Sequence, residues 1–421
     1  MQTQLRKKLK KPYSFIFHID FDSFFVSALR TIYPELNNKP VAIAKSSVHA
    51  VAESISYELR KLGFKAGQKI YEIKKLEPKT IVVESRYDVY NTISTEIFNY
   101  LKTKYSSNLE IASIDECYIF FNYKTLQSEQ QALDLAKQIQ SQVLKKFKIP
   151  ISIGISTTKF YAKMTTNISK PFGIGLTNKD NYKERFFDLD IIKFHGIGDK
   201  LAQKLNKIGI YKIKDFYNFD LSNFLLKSVL GTTAYKYYDA LNIDFQDKIN
   251  QEDQLKGIGN EVSFANASND ENLIYNALDE MVKKVASRLK HYEKVGNNIS
   301  LVIRMPTKNW VSKNMQLDYN LSSYQDIKKH AYYLYQQHFA DKEILGIGVR
   351  ISGLLESYNN YQKISLFDKN SKKLSQVDMI ISKLKHKTKT NKIYTLSDYQ
   401  KVKNRKNRFG NDPLGSVIFK K

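Results

Sequence analysis

Ser14-Phe-Ile-Phe-His-Ile-Asp20 runs straight into Phe21-Asp-Ser-Phe-Phe25, and this junction decides how the chain is read. The first stretch alternates and is rich in aromatic residues, the pattern of a strand. The second leads into a helix over Ser23–Arg30, with Asp22 and Ser23 as residue types that suit an N-cap. An acid, Asp20, therefore ends an apolar strand, where acids are costly. The same anomaly recurs in Leu109–Phe121, a long apolar stretch interrupted by Asp115 and Glu116. Neighbours on a regular strand point to opposite faces. A sharp turn at Ile114–Glu116 would instead make Leu109–Ser113 and Cys117–Phe121 the arms of a hairpin and bring both acids to one sheet edge.

Working outward, strands are expected at Pro40–Ala44, after a turn within Ser46–Ser54, and at Ile151–Ser156. Helices are expected at Tyr57–Leu62, ended by Gly63, at Val89–Lys104, at Gln131–Phe147, and at Thr158–Ser169, stopped by Pro171. Strands and helices alternate without a strict βαβ rhythm, so the first half reads as α+β. From Lys193 the character changes to a small all-helical unit that reaches about Leu241. Gln246–Leu255 is polar and reads as a linker. A second α+β unit follows: strand Glu261–Phe264, helix Asn272–Tyr292, strands Asn298–Met305 and Met315–Leu321, helix Tyr324–Phe339, strand Gly346–Leu354. The rest is a basic tail with one apolar island, Ile364-Ser-Leu-Phe367. No repeat of fixed period is present.

At 421 residues the chain has room for two to four domains, and 42% hydrophobic with 13% aromatic residues excludes collagenous, disordered and disulfide-scaffold classes. The lone Cys117 can form neither an internal disulfide nor a cysteine zinc site, which suits a reducing compartment; it reads as a packing residue. Basic residues number 67 against 42 acidic, a net charge of +25, so a polyanion is the natural partner, nucleic acid first among them. Lysine supplies 57 of the 67; codon bias accounts for lysine over arginine but not for the surplus. No apolar run is long enough to span a membrane. Met1–Pro12 is a basic arm without a signal peptide's unbroken apolar core and cleavage site, so a cytoplasmic protein is expected.

Asp20, Asp115 and Glu116 repel one another when clustered unless a dication neutralises them, and hard oxygen donors suit Mg²⁺. Two such ions would serve phosphoryl transfer. From spacing alone the alternative stays open that these are turn and cap acids. Backbone N–H groups of Ser23, Phe24 and Phe25 at a helix start can hold phosphates. Tyr57 and Arg60 share a helical face and can both donate to phosphate oxygens; Lys163 adds a point charge. Together these describe a nucleotidyl-transfer site. His195-Gly-Ile-Gly198 with Gly209-Ile-Tyr211 reads as a helix–hairpin–helix whose glycine turn can present N–H groups to DNA phosphates.

At these residues the chain resembles the Y-family (translesion) DNA polymerases over about Phe15 to Leu354. The resemblance rests on Asp20-Phe-Asp-Ser-Phe-Phe25, Ser56-Tyr-Glu-Leu-Arg-Lys-Leu-Gly63, Ala112-Ser-Ile-Asp-Glu116, Gly154-Ile-Ser156 with Lys163 and Lys170-Pro-Phe-Gly173, and the Gly-Ile-Gly hairpin, in that order. It implies an α+β right-hand polymerase: basic arm 1–12, palm 13–31 and 87–185, fingers 32–86, helical thumb 186–245, linker 246–256, little finger 257–355, and basic tail 356–421. It implies two Mg²⁺ on Asp20, Asp115, Glu116 and the Phe21 carbonyl. The triphosphate would lie on the Phe24 and Phe25 N–H groups, Ser54, Tyr57, Arg60 and Lys163. Phe25 resembles the steric gate that blocks a ribose 2′-OH, though a gate ring also packs as core. Gly196, Ile197, Gly198 and Lys200 would meet DNA. The implied partners are primer–template DNA and dNTPs, acting on a monomer.

Two features depart. Glu53 stands in the fingers where the family usually has a small residue. Gln362-Lys-Ile-Ser-Leu-Phe367 is similar to a bacterial sliding-clamp peptide but has one residue too many; Ile364, Leu366 and Phe367 are either a clamp contact or a lone apolar patch. The tail, with Arg408-Phe-Gly410, leans toward the UmuC/MucB-type branch over the DinB type. A catalytically silent DNA-binding scaffold is the rival function; it would have no need of the full metal and triphosphate set. A nucleotide cyclase would need neither the hairpin nor the second α+β unit.

Overall fold

The computed structural model describes residues 15–45, 50–245 and 255–357. These form two compact units, one up to residue 245 and one from residue 255. The basic arm, most of the linker, and the tail with Ile364, Leu366, Phe367 and Arg408 lie outside the described residues.

The first unit begins with β1 (Phe15–Phe21) and α1 (Phe24–Ile32), then β2 (Val41–Ala44), β3 (Ser54–Ile55), α2 (Tyr57–Lys61), α3 (Ile70–Leu76) and β4 (Ile81–Glu84). It continues through α4 (Tyr87–Lys104), β5 (Leu109–Ile111), β6 (Glu116–Phe121), α5 (Glu129–Phe147), β7 (Ile151–Ser156), α6 (Lys159–Ser169), β8 (Ile174–Leu176) and α7 (Tyr182–Phe186). Its main sheet has the order β5-β6-β1-β7-β8. β1 lies at the centre, antiparallel to both β6 and β7. The alternation in β1 sorts its side chains. Phe17, Ile19 and Phe21 join the apolar core with Cys117, Ile119, Ile153 and residues of α1, α4 and α5. Ile16, His18 and Asp20 take the other face, which α6 covers.

That cover depends on one glycine. Gly154 pairs with His18 across the ladder. A Cβ at Gly154 would stand 2.1 Å from the Ala162 carbonyl oxygen and 2.4 Å from the Thr166 nitrogen. Only a residue with no side chain lets α6 lie this close. Thr158 caps α6, its side chain accepting from the Tyr161 N–H.

A separate sheet, β3-β2-β4, holds α2 and α3. Its second strand is only two residues, shorter than the strand expected before Ser54. Its third, β4, pairs in parallel with β2 and is an element the sequence did not suggest. The helical segment comprises α8 (Asp199–Asn206), α9 (Ile213–Tyr217), α10 (Phe224–Leu230) and α11 (Thr233–Ala240) around Phe194, Leu205, Ile210, Ile213, Phe216 and Leu226.

The second unit is β9 (Gly257–Ser268), α12 (Glu271–His291), β10 (Lys294–Arg304), β11 (Trp310–Leu321), α13 (Tyr324–Phe339) and β12 (Ile344–Glu356). Its sheet, β11-β10-β12-β9, is antiparallel throughout, and both helices cover one face. Ile299, Leu301, Ile303, Ile347, Val349 and Ile351 fill that face. β9 begins four residues before the expected Glu261, because Gly257 and Gly259 carry no strand signal yet pair with Ser352 and Arg350.

Candidate active site

The acids converge where β1 and β6 end. Asp20 pairs with Glu116 across the ladder, and the Phe21 N–H donates to the Asp115 carbonyl at 2.9 Å. The hairpin turn is real, and Ser113 Oγ donates to Asp115 Oδ1 at 2.6 Å to hold it. Asp20 is only 4% exposed. Burial pushes its carboxyl up to about 6; Lys170 pulls against this, and the charges of Glu116 and Asp115 add to the rise.

α6 supplies the compensating charge. Lys163 donates to Glu116 Oε2, and Lys170, just past the helix, donates to Asp20 Oδ1. From beneath, His18 Nε2 lies 3.1 Å from Glu116 Oε2 and Nδ1 lies 2.9 Å from Thr166 Oγ1. Burial acts to raise the Glu116 carboxyl, but the hydrogen bonds from His18 and Lys163 outweigh it and hold it down at about 2. An ionised carboxylate only accepts, so Nε2 carries the proton and Nδ1 accepts from Thr166. His18 is fully buried, which lowers it to about 4 and keeps the ring neutral.

Asp22 and Ser23 differ from the caps their residue types suggest for α1. Neither side chain caps: Ser23 has φ 45°, and the Asp22 carboxylate turns inward. It is 1% exposed and accepts from Tyr57 OH at 3.1 Å, from Ser152 Oγ at 2.9 Å and from the Phe172 N–H at 2.8 Å. One buried acid thus ties α2 to β7 and to the loop after α6. Burial and the Asp22 charge raise the Tyr57 hydroxyl's pKa, so it stays a donor.

The remaining expected residues fall as follows. Arg60 is exposed on α2 and lies 5.2 Å from the Tyr57 ring centre. Ser54 is buried on β3 opposite Ile43. Phe24 is core, whereas Phe25 is half-buried and lies flat on Tyr90, ring centres 4.2 Å apart. In the helical segment Gly196, at φ 98°, and Gly198 form the turn before α8, and Lys200 is exposed. Ile197 is buried with the helical core, so it supports this turn rather than facing outward.

Sequence reasoning passed over His18, Asp22 as a hub, Thr166 and Lys170. Two signals existed. His18 shares the strand face of Asp20 by period two, and Lys170 follows Lys163 by about two helical turns.

The donor set fits hard dications. Asp20, Asp115 and Glu116 offer only oxygen, His18 is committed to Glu116 and Thr166, and Cys117 faces the opposite core. Burial is the main reason the Asp20 carboxyl is held up near 6, and the charges of Glu116 and Asp115 add to it. Among the described residues no three His, Cys, Asp or Glu side chains are gathered closely enough to hold a metal ion.

The second unit presents a different surface. The uncovered face of its sheet forms an open groove of about 730 Å³, where Lys256, Arg288 and Arg350 outnumber the one acid, Glu261, beside Trp310 and Gly259.

The chain is matched by the family model described as the impB/mucB/samB family over residues 19–167, and by the C-terminal domain model of that family over residues 255–366. It is 31% identical to a DNA polymerase IV of Ureaplasma parvum, covering 84% of this chain and 98% of that one. It is also 31% identical to a DNA polymerase IV of Saccharolobus solfataricus, covering 81% and 97%. A solved Y-family DNA polymerase chimera of Dbh and Dpo4 is similar in fold at a TM-score of 0.71, with 24% identity over 81% of this chain and 99% of that one.

Proposed function

The chain belongs to the impB/mucB/samB family, the Y-family DNA polymerases, and is a translesion DNA-directed DNA polymerase; from that premise we propose that Asp20, Asp115 and Glu116 are its catalytic carboxylates. The observation that carries the assignment is that Asp20 and Glu116 are paired across the ladder at one sheet end, each held by a lysine of the α6 segment, with Asp115 in the adjoining turn. A silent scaffold would have no use for a buried acid, Asp20, set beside two further acids that repel it.

Two Mg²⁺ held by Asp20, Asp115, Glu116 and the Phe21 carbonyl would, when bound, activate the primer 3′-OH and stabilise charge on the departing pyrophosphate. The protein's own groups do the rest. His18 and Thr166 orient Glu116. Asp22 holds the Tyr57 hydroxyl at the mouth of α2 beside Arg60. The N–H groups of Phe24 and Phe25 open α1, and Lys163 and Lys170 are placed to exchange their carboxylates for phosphates. The 3′-oxygen attacks the α-phosphorus as the bond to pyrophosphate breaks. Phe25 stands as the sugar gate.

We assign the main sheet and α4–α6 to a palm (13–31 and 87–185), the small sheet to fingers (32–86), α8–α11 to a thumb (186–245) and the second unit to a little finger (257–355). The helix–hairpin–helix turn and the basic groove would hold primer–template DNA through its phosphates. A solved structure of similar fold is an insertion ternary complex of Dbh DNA polymerase, in keeping with DNA and dNTP partners. For the branch, DNA polymerase IV and DinB names among relatives favour the DinB type over the UmuC/MucB type. Monomeric action, a clamp contact through Ile364, Leu366 and Phe367, and a cytoplasmic setting complete the proposal. Among the described residues no helix is long and apolar enough to cross a membrane.

Primer extension with dNTPs or rNTPs and Mg²⁺ tests it. Extension with dNTPs that vanishes in Asp115→Ala/Glu116→Ala, and is poor with rNTPs, is expected. Extension that survives the double substitution would refute the carboxylate assignment.

A further inference from the structure

The Phe25 ring is held on two sides. One face lies on Tyr90, at 4.2 Å and 6°. Its other neighbour, Tyr87, meets it edge-on at 5.5 Å and 72°. The two supports differ. Tyr90 is fully buried and fixed by the core. Tyr87, in the first turn of α4, is 47% exposed, and besides Phe25 its ring meets Tyr90 edge-on at 5.7 Å and 66°. Its hydroxyl adds a tie from outside this cluster, donating to Glu53 Oε2 at 3.2 Å. Glu53 is itself anchored. Its carboxylate accepts from Ser85 Oγ at 2.6 Å, and its N–H donates to the Ile43 carbonyl at 2.7 Å.

We propose that Glu53 and Tyr87 form a strut from the small sheet that stiffens the Phe25 gate, making both positioning residues for sugar discrimination. The inference rests on Phe25 being the gate. A steric gate rejects a 2′-OH by overlap of a fraction of an ångström, so its selectivity depends on how far the ring can yield. Tyr90 prevents movement toward the core; the strut prevents rotation away from it. A carboxylate is suited to this because a charge-assisted hydrogen bond is stronger than a neutral one. This gives Glu53, which stands where a small residue was expected, a structural purpose.

The test is single-turnover incorporation of dCTP and CTP opposite template guanine, read as the ratio of the two efficiencies. Tyr87→Phe removes only the hydroxyl, and Glu53→Ala removes the acceptor. Each should lower the ratio by about 3- to 10-fold, the worth of one such hydrogen bond. Glu53→Gln, which still accepts but without the charge, should fall between the parent and Glu53→Ala. The double variant Tyr87→Phe/Glu53→Ala should fall no further than either single variant, since both cut the same link. Phe25→Ala is the control and should abolish most discrimination. If Phe25→Ala relaxes the ratio while Tyr87→Phe and Glu53→Ala do not, the strut is refuted and the gate stands. If Phe25→Ala leaves the ratio unchanged, the gate assignment falls and the strut with it. Equal losses of dCTP and CTP incorporation in the strut variants would show mere structural support and would also overturn the inference.

Discussion

The main sheet of the first unit and the sheet of the second are both largely antiparallel, yet they treat polar groups in opposite ways. In the first, His18, Asp20, Asp22 and Ser152 are buried, and each has a hydrogen-bonding or ionic partner. In the second, Lys256, Arg288 and Arg350 stand exposed over an open groove. The difference follows from what each face must do. Groups that need fixed geometry are packed between a sheet and a helix, where every neighbour constrains them. Groups that only need to attract phosphates can remain solvated, because that attraction is tolerant of position.

The sharpest way to break this contrast is to add one methyl group to each sheet. Gly154→Ala should destabilise the first unit by about 3 kcal/mol or more, because the new Cβ meets α6 backbone that cannot move without dislodging Lys163. Gly257→Ala presses less hard, its Cβ standing 3.1 Å from the Ile351 carbonyl oxygen, a tight contact that a shift of a few tenths of an ångström relieves, and should cost about 1 kcal/mol. Urea unfolding measures both; similar costs would undo the argument.

Asp22→Ala comes next, at about 2–3 kcal/mol. It strips an acceptor from Tyr57, Ser152 and the Phe172 N–H in a buried place. It should also weaken dNTP binding by releasing Tyr57. A variant as stable as the parent would show that Asp22 is no hub. The smallest effect is expected on the other sheet. Arg288→Ala and Arg350→Ala should barely change the melting temperature, but each should weaken DNA binding and lower the steepness of its salt dependence by about 1. Anisotropy titrations across a salt series would show this.

Much of this was legible because it is local. Alternation over residues 15–20 announced β1, and the broken apolar run at Asp115 announced the hairpin. Thr158 marked the start of α6. What escaped notice depends on distant partners. β4 is a four-residue strand whose place is fixed only by its parallel pairing with β2. Lys170 meets Asp20 across 150 positions, and Asp22 meets Ser152 across 130. Asp22 and Ser23 satisfy a sound local rule for a cap, but partners from α2, β7 and the loop after α6 outcompete the helix end for the Asp22 carboxylate. Glu53 is an oddity in the sequence because its partners, Ser85 and Tyr87, lie 32 and 34 positions away.

The most direct measurement is a pair of variants scored on two axes, DNA affinity and single-turnover rate at saturating DNA. Glu116→Gln should lose about a thousandfold in rate and keep its affinity for primer–template. Arg288→Ala/Arg350→Ala should lose affinity and keep most of its rate once DNA saturates. That crossed pattern is the expected result. If both variants lost rate and affinity in the same proportion, the division between a buried chemical edge and an open gripping face would be wrong.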